Sequence, residues 1–141
     1  TMYAGGADVI YQAAGGSGTG VFSEAKEIDE KLPADSDKKV WVIGVDRDQA
    51  DEGDYKASNK EESNFVLTST IKKVGQVVQD ISNEQLEGKK FEGDQTKTYG
   101  LADGGIDITT SSLPDNIKEA VESAKQKIID GDITVPDGLS D

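Results

Sequence analysis

The run Val40-Trp41-Val42-Ile43-Gly44-Val45 carries no polar side chain and stops on Asp46. A strand with one wet face alternates apolar and polar residues. An unbroken apolar run belongs to a strand covered on both faces, as in a parallel sheet. Parallel neighbours need crossover connections, usually helical, and the flanking sequence supplies them. Upstream, Ala7-Asp8-Val9-Ile10-Tyr11-Gln12-Ala13-Ala14 reads as a second buried strand, followed by the glycine-rich turn Gly15-Gly16-Ser17-Gly18-Thr19-Gly20. Val21, Ala25, Ile28 and Leu32 then recur on one face of a helix that Pro33 ends. Downstream, Asn64-Phe65-Val66-Leu67-Thr68-Ser69 predicts a third strand, and Ile71, Val74, Val78 and Ile81 stripe a helix ending near Gly88.

The remaining segments are shorter. The polar, acidic stretch 47–63 reads as a long surface loop with few apolar anchors. Residues 96–101 and 106–110 predict a β-hairpin around Ala102-Asp103-Gly104-Gly105. A last helix starts at Pro114, carries Ile117, Val121, Ala124 and Ile128 on one stripe, and stops at Gly131. Lys125, Lys127 and Asp130 are expected to face water, and Ile133-Thr134-Val135 to add a short strand. The fold class is α/β, a doubly wound parallel sheet. Three helices cannot cover both faces of such a sheet, so uncovered edges and apolar faces are expected to favour self-association. The opening Thr1-Met2-Tyr3-Ala4-Gly5-Gly6 reads as the tail of a helix, as a truncated chain would begin.

Charge and composition remove several classes of function. The formal net charge is −13, unsuited to replacing phosphate counterions, so no nucleic-acid partner is expected. Anionic lipid surfaces are disfavoured for the same reason. With no cysteine and no histidine in the chain, thiol nucleophiles, thiolate zinc sites and histidine-based triads are excluded. No apolar run approaches a membrane span.

Three places could carry chemistry. Glycines at 15–20 let a ligand approach the backbone, and the following helix offers N–H donors. The segment fails the phosphate signatures, because Val21 and Phe22 stand where a P-loop needs lysine. Its spacing leaves a ligand role and a merely tight turn both open. Asp46 sits at a strand's carboxyl end, where open α/β sheets bind ligands, and a carboxylate there can accept from vicinal hydroxyls. An ordinary loop aspartate fits equally. Lys72 is placed in the first turn of a helix, unfavourable for the macrodipole, which asks for an acidic or oxygen-rich partner such as Asp46; a surface lysine beside Lys73 is the plainer account. The acidic cluster Asp46, Asp48, Asp51, Glu52 and Asp54 fails the EF-hand spacing, with Asp51 and Ala57 at the positions requiring Gly and Glu. No metal or cofactor is expected. Phe22, Trp41 and Phe65 read as core rather than as base-stacking residues.

These segments, in this order, resemble the basic-membrane-protein (purine nucleoside receptor) family of ABC-transporter substrate-binding lipoproteins. The resemblance is carried by 6–22, by Ile43-Gly44-Val45-Asp46-Arg47-Asp48-Gln49, by Leu67-Thr68-Ser69-Thr70-Ile71-Lys72 and by Tyr99-Gly100-Leu101-Ala102-Asp103-Gly104-Gly105. The closing helix and Ile133-Thr134-Val135-Pro136 also fit. It spans nearly the whole chain but only about the last two-fifths of a family member.

The resemblance implies a partial type I periplasmic-binding-protein fold, in which two lobes close on a nucleoside. Residues 1–87 would be an α/β segment of the C-terminal lobe, and 88–141 a hairpin and helix that complete it or cross back between lobes. It implies ribose contacts at Gly15, Asp46 and Lys72, with Ala13 beside them, an ABC permease as partner, and a lipid-anchored location on the outer face of the membrane. The residues gripping the base would lie earlier in the family's sequence. Three other functions remain: binding of another ribose-containing or sugar ligand, the ligand-sensing domain of a transcription regulator on the same fold, and a nucleotide-dependent enzyme. The failed phosphate signatures and the lack of a nucleophile–base pair count against the last.

Overall fold

The computed structural model describes residues 2–90 and 93–136; Thr1, where the chain's opening was read, lies outside them. The chain divides into two compact units, residues 2–72 with Ile108–Ser112, and residues 73–107 with 113–136.

The first unit is built on three parallel strands, β1 (Val9–Tyr11), β2 (Trp41–Gly44) and a longer strand, Val66–Lys72. The predicted order of strand, helix and strand holds. Helix α1 (Thr19–Asp29) is the crossover between the first two strands and buries Phe22 and Ala25. The core includes Ile10, Val42 and Val66 from the strands, Phe65 immediately before the third of them, and Phe22 from α1. Phe22 meets Phe65 edge-on at 5.9 Å, an aromatic geometry favoured beyond its buried area. Both rings are core, as expected.

The stretch 47–63 is not the open loop its polarity predicts. It contains a 3-10 turn (Ala50–Gly53) and an antiparallel hairpin, β3 (Asp54–Lys56) with β4 (Glu62–Asn64). The long third strand of the parallel set is therefore β5 (Val66–Lys72). Tyr55 and Ala57 are each 3% exposed, and the Tyr55 ring lies 6.0 Å from Phe65. Two apolar anchors, spaced by two as β residues sharing a face must be, were hidden among acidic neighbours. Lys39 fastens the hairpin by donating to Ser63 Oγ and the Asn64 carbonyl, both at 2.8 Å, while its ammonium lies over the Trp41 ring.

Three further boundaries differ. Lys72 ends β5, and helix α2 (Val74–Leu86) begins beyond it, so the macrodipole argument does not apply to this lysine. Residues 96–101 form no strand, and the predicted hairpin there is absent. Instead β6 (Ile106–Ile108) is the fourth strand of the sheet, in the order β1-β2-β5-β6. Thr109 N–H donates to the Ser69 carbonyl, and Lys73 N–H to the Gly105 carbonyl. Pairings that rise on one strand and fall on the other make this edge antiparallel. Residues 133–135 form no strand either.

The second unit holds α2, most of β6 and helix α3 (Asp115–Ile129), which follows Pro114 and is closed by Gly131 at φ +83°. No residue of α2 or α3 is buried. Lys125 does not simply face water: it is half-buried and binds Asp107 at 3.0 Å and Glu122 at 3.1 Å, while Lys73 reaches the other Asp107 oxygen at 3.0 Å.

Candidate functional site

Parallel pairing brings the carboxyl ends of β1, β2 and β5 to one edge of the first unit. At the end of β2 the chain makes a sharp turn. Arg47 N–H donates to the Val45 carbonyl at 2.9 Å, and Asp46 between them has φ +72°. An i→i+2 hydrogen bond around a positive-φ residue is the rarer, strained form of γ-turn. Such strain persists only where the surroundings impose it. The imposing contacts come from β5 and from Gln49. Lys72 N–H donates to the Asp46 carbonyl at 2.9 Å, and Lys72 Nζ meets Asp46 Oδ1 at 2.8 Å. Both side chains are more than half exposed, so the pair stands open to solvent with lone pairs and N–H donors to spare. The hydrogen bond that Lys72 donates to Asp46, then the charge of that carboxylate, raise the Lys72 ammonium above its ordinary value and keep it cationic.

Beside this pair, β1 runs through Gln12 into Ala13 and Gly15, both exposed. Gly15 has φ +54°, and a Cβ there would meet open space. The conformation favours glycine, and no described residue lies within 4 Å of the room in front of it. The glycine-rich segment forms a 3-10 turn (Gly15–Gly18) that leads into α1. Tyr11, also exposed, lays its hydroxyl 3.2 Å from Thr70 Oγ1, across β2. The structure thus joins Asp46 and Lys72 directly, and sets Ala13 and Gly15 at the end of the adjacent strand.

The sequence did not point to Gln12 and Gln49, which link the two turns. Gln12 is 4% exposed, and its Nε2 donates to Gln49 Oε1 at 3.0 Å. Gln49 Oε1 also accepts the Val45 N–H at 2.9 Å, its own N–H donates to Ser69 Oγ at 3.1 Å, and its Nε2 donates to Glu52. Ser69 reaches this position because Leu67 is an extra residue in β5: Val42 pairs with Val66, but Ile43 pairs with Thr68 and Gly44 with Ser69. A bulge re-aims the side chains beyond it. The available signal was polarity: an amide inside an apolar run, and a glutamine two residues beyond an acidic turn.

The second unit has its own concavity, about 510 Å3, lined by Val77, Ile81, Glu84, Lys97 and Tyr99 among others. Its Lys97 and Glu84 neutralise each other at 3.2 Å. No cluster of acidic side chains able to hold a metal ion occurs among the described residues, and none of their helices is long and apolar enough to cross a membrane.

Known proteins are similar to this chain over most of its length. The family described as "ABC transporter substrate-binding protein PnrA-like" matches residues 1–138. The "ABC transporter nucleoside-binding protein BmpA" of Lactococcus lactis is 54% identical over 136 residues, 96% of this chain and 38% of that protein. The "CD4+ T-cell-stimulating antigen" of Listeria monocytogenes is 45% identical over 97% of this chain, and "Basic membrane protein A" of Borreliella afzelii 32% identical over 96%. The chain spans 38%, 38% and 37% of the lengths of these relatives.

Two solved structures share the fold. A transcriptional activator of the comK gene from Bacillus halodurans superposes with a TM-score of 0.69 at 24% identity, over 96% of this chain and 41% of that one. An ABC transporter solute-binding protein from Aeropyrum pernix superposes with a TM-score of 0.66 at 22% identity, over 99% of this chain and 43% of that one. The α/β architecture is that of part of a periplasmic-binding-protein fold, and the chain belongs to the family of PnrA-like ABC transporter substrate-binding proteins.

Proposed function

We propose that this segment supplies the ribose-binding wall of an extracytoplasmic nucleoside receptor serving an ABC importer, and that it catalyses no reaction. One observation carries the reading: the exposed Asp46–Lys72 pair at 2.8 Å, fixed by a strained turn at the carboxyl ends of adjacent parallel strands. A vicinal diol matches it. One hydroxyl donates to the Asp46 carboxylate, while Lys72 donates to a hydroxyl oxygen, and both bonds are charge-assisted. The glycine-rich turn, with Ala13 and Gly15, gives the sugar room to approach the backbone. The printed name of the Lactococcus lactis relative, a nucleoside-binding protein, favours the same ligand class. In this reading the receptor is lipid-anchored outside the membrane and hands its ligand to a permease. The net charge of −13 speaks against a nucleic-acid partner.

The test belongs in the full-length protein, since a clamshell site gains affinity by enclosing its ligand. Calorimetric titration with adenosine, guanosine, inosine and uridine identifies the base. Asp46→Ala should cost about 1.5–3 kcal/mol of affinity for the preferred nucleoside, the range for a charged hydrogen bond. The matching 2′,3′-dideoxynucleoside should bind the parent weakly and lose little more on mutation. Affinity unchanged by Asp46→Ala removes the aspartate from the site.

A further inference from the structure

We propose that Gln12 and Gln49 are positioning residues for this site, an amide bridge that fixes the Asp46 turn against the glycine-rich turn. The inference rests on the assignment of Asp46 and Gly15 to the ligand. Neither glutamine needs to touch the ligand. Gln12 follows β1 and immediately precedes Ala13, and Gln49 holds the N–H of Val45, the residue immediately before Asp46.

The amide orientations follow from the backbone. Val45 N–H can only donate, so the Gln49 atom facing it is the oxygen, and the Gln12 atom facing that oxygen is therefore the NH2 nitrogen. This leaves Gln12 Oε1 buried and without a hydrogen-bond partner among the described residues, packed against the glycine-rich turn. A Cβ on Gly18 would stand 1.8 Å from that oxygen, so the turn can lie this close only with glycine there. At the other end, a Cβ on Gly44 would stand 3.0 Å from Gln49 Oε1 and 2.5 Å from Ser69 Oγ. Two glycines thus make room for two amides, and the ends of β1 and β2 are laced to the middle of β5 beneath the proposed ligand. The bridge also explains how a strained aspartate is kept in place. Gln49 holds the turn from the β2 side and Lys72 from the β5 side.

Gln49→Leu removes the acceptor from Val45 and Gln12, and Asp46 should leave its strained conformation. Gln49→Glu keeps an acceptor but sets a carboxylate against Glu52. Adding Glu52→Gln restores the hydrogen bond with donor and acceptor exchanged. Titrated in the full-length protein with a nucleoside and its 2′,3′-dideoxy analogue, Gln49→Leu and Gln49→Glu should bind the nucleoside about tenfold or more weakly. Affinity for the dideoxy analogue should hardly move, and the Gln49→Glu/Glu52→Gln pair should regain the nucleoside. Loss of both ligands in equal proportion, or a preference equal to the parent's, overturns the bridge. If Gln49→Leu does not fold, the single and double Glu variants decide by themselves. If the parent shows no preference for the hydroxyls, the ribose assignment fails instead. The bridge is then judged by hydrogen exchange at the Arg47 and Lys72 amides: faster exchange in the Gln49 variants supports it, and unchanged exchange overturns it.

Discussion

The two units solve the problem of burial differently. In the first, Phe65 is 1% exposed, Val42 and Ala25 are fully enclosed, and even the polar hairpin contributes Tyr55 and Ala57 to the same core. In the second, Leu113 is the one buried apolar side chain among the described residues, while Val74, Val78 and Leu86 on α2 are 63%, 59% and 86% exposed. Taken by itself, the second unit is organised by charge, with Asp107 gripped by Lys73 and Lys125. Ion pairs near water contribute little each, whereas burying one large apolar side chain contributes roughly 1.5–3 kcal/mol. The proposed ligand wall is built on the first unit. A strained turn such as Asp46's needs a rigid support of that kind.

Paired truncations test this contrast most severely. Phe65→Ala should destabilise the protein by about 3–5 kcal/mol, because Phe22 and Tyr55 lose their common partner and a cavity opens. Val78→Ala on α2 should fall within about 0.5 kcal/mol of the parent. Urea unfolding gives both values, and a Val78 cost approaching that of Phe65 would show that the second unit has a core of its own.

A middle-sized effect sharpens the picture of the first unit. Asp29, the last residue of α1, is fully buried, and its Oδ1 accepts the Val40 N–H at 3.0 Å. Burial raises its pKa, against the lowering effects of the Val40 hydrogen bond and of Lys39. Burial likewise lowers Lys39, and with Asp29 and Glu24 it lifts Tyr3 to about 12. The direction of the pH effect follows from linkage. A carboxyl with a raised folded pKa binds its proton more tightly when folded. Its contribution to stability is therefore complete below the ordinary aspartate value, about 3.9, and is lost as pH rises through the folded pKa. Asp29→Asn keeps an acceptor for Val40 and should flatten that acid-side dependence. Thermal melts across the acid range should show the parent losing this contribution while the variant does not; parallel profiles would contradict it.

Much of the first unit was legible because its signals are local. An unbroken apolar run needs both faces covered, a glycine-rich turn between strand and stripe marks a crossover, and Asp46 stands at the end of such a run. The hairpin β3–β4 was not legible, because Tyr55 and Ala57 are two apolar positions in a stretch dominated by charge, and they become core only by joining the distant cluster that includes Phe65. Lys72 was assigned to the wrong element, since Thr70 and Ile71 extend β5 as readily as they begin a helix. Its partnership with Asp46 was still anticipated, because strand ends bring distant residues together wherever the helix starts. In the second unit the stripes on α2 and α3 were read only as apolar faces, and Val74, Val78 and Ile117 on them remain exposed. Periodicity records which face is apolar, and the partner that covers it is a separate fact.

The smallest expected effect lies on α3. Lys118 pairs with Asp115 at 3.1 Å in its first turn, and Asp115 is 95% exposed. Lys118→Ala should change stability by no more than about 0.2–0.5 kcal/mol, less still in high salt. A larger loss in urea titrations would mean that charge on this helix does more than solvate it.

The central claim is that Asp46 and Lys72 hold the sugar of a nucleoside, and it can be observed at the atoms themselves. In the full-length protein, the side-chain carboxyl carbon resonance of Asp46 and the ammonium nitrogen resonance of Lys72 can be followed as nucleoside is added. Both should move together and saturate with the affinity found by calorimetry, and neither should move on addition of the 2′,3′-dideoxy analogue at equal occupancy. Saturable binding that leaves both resonances where they were would place the sugar elsewhere and contradict the account.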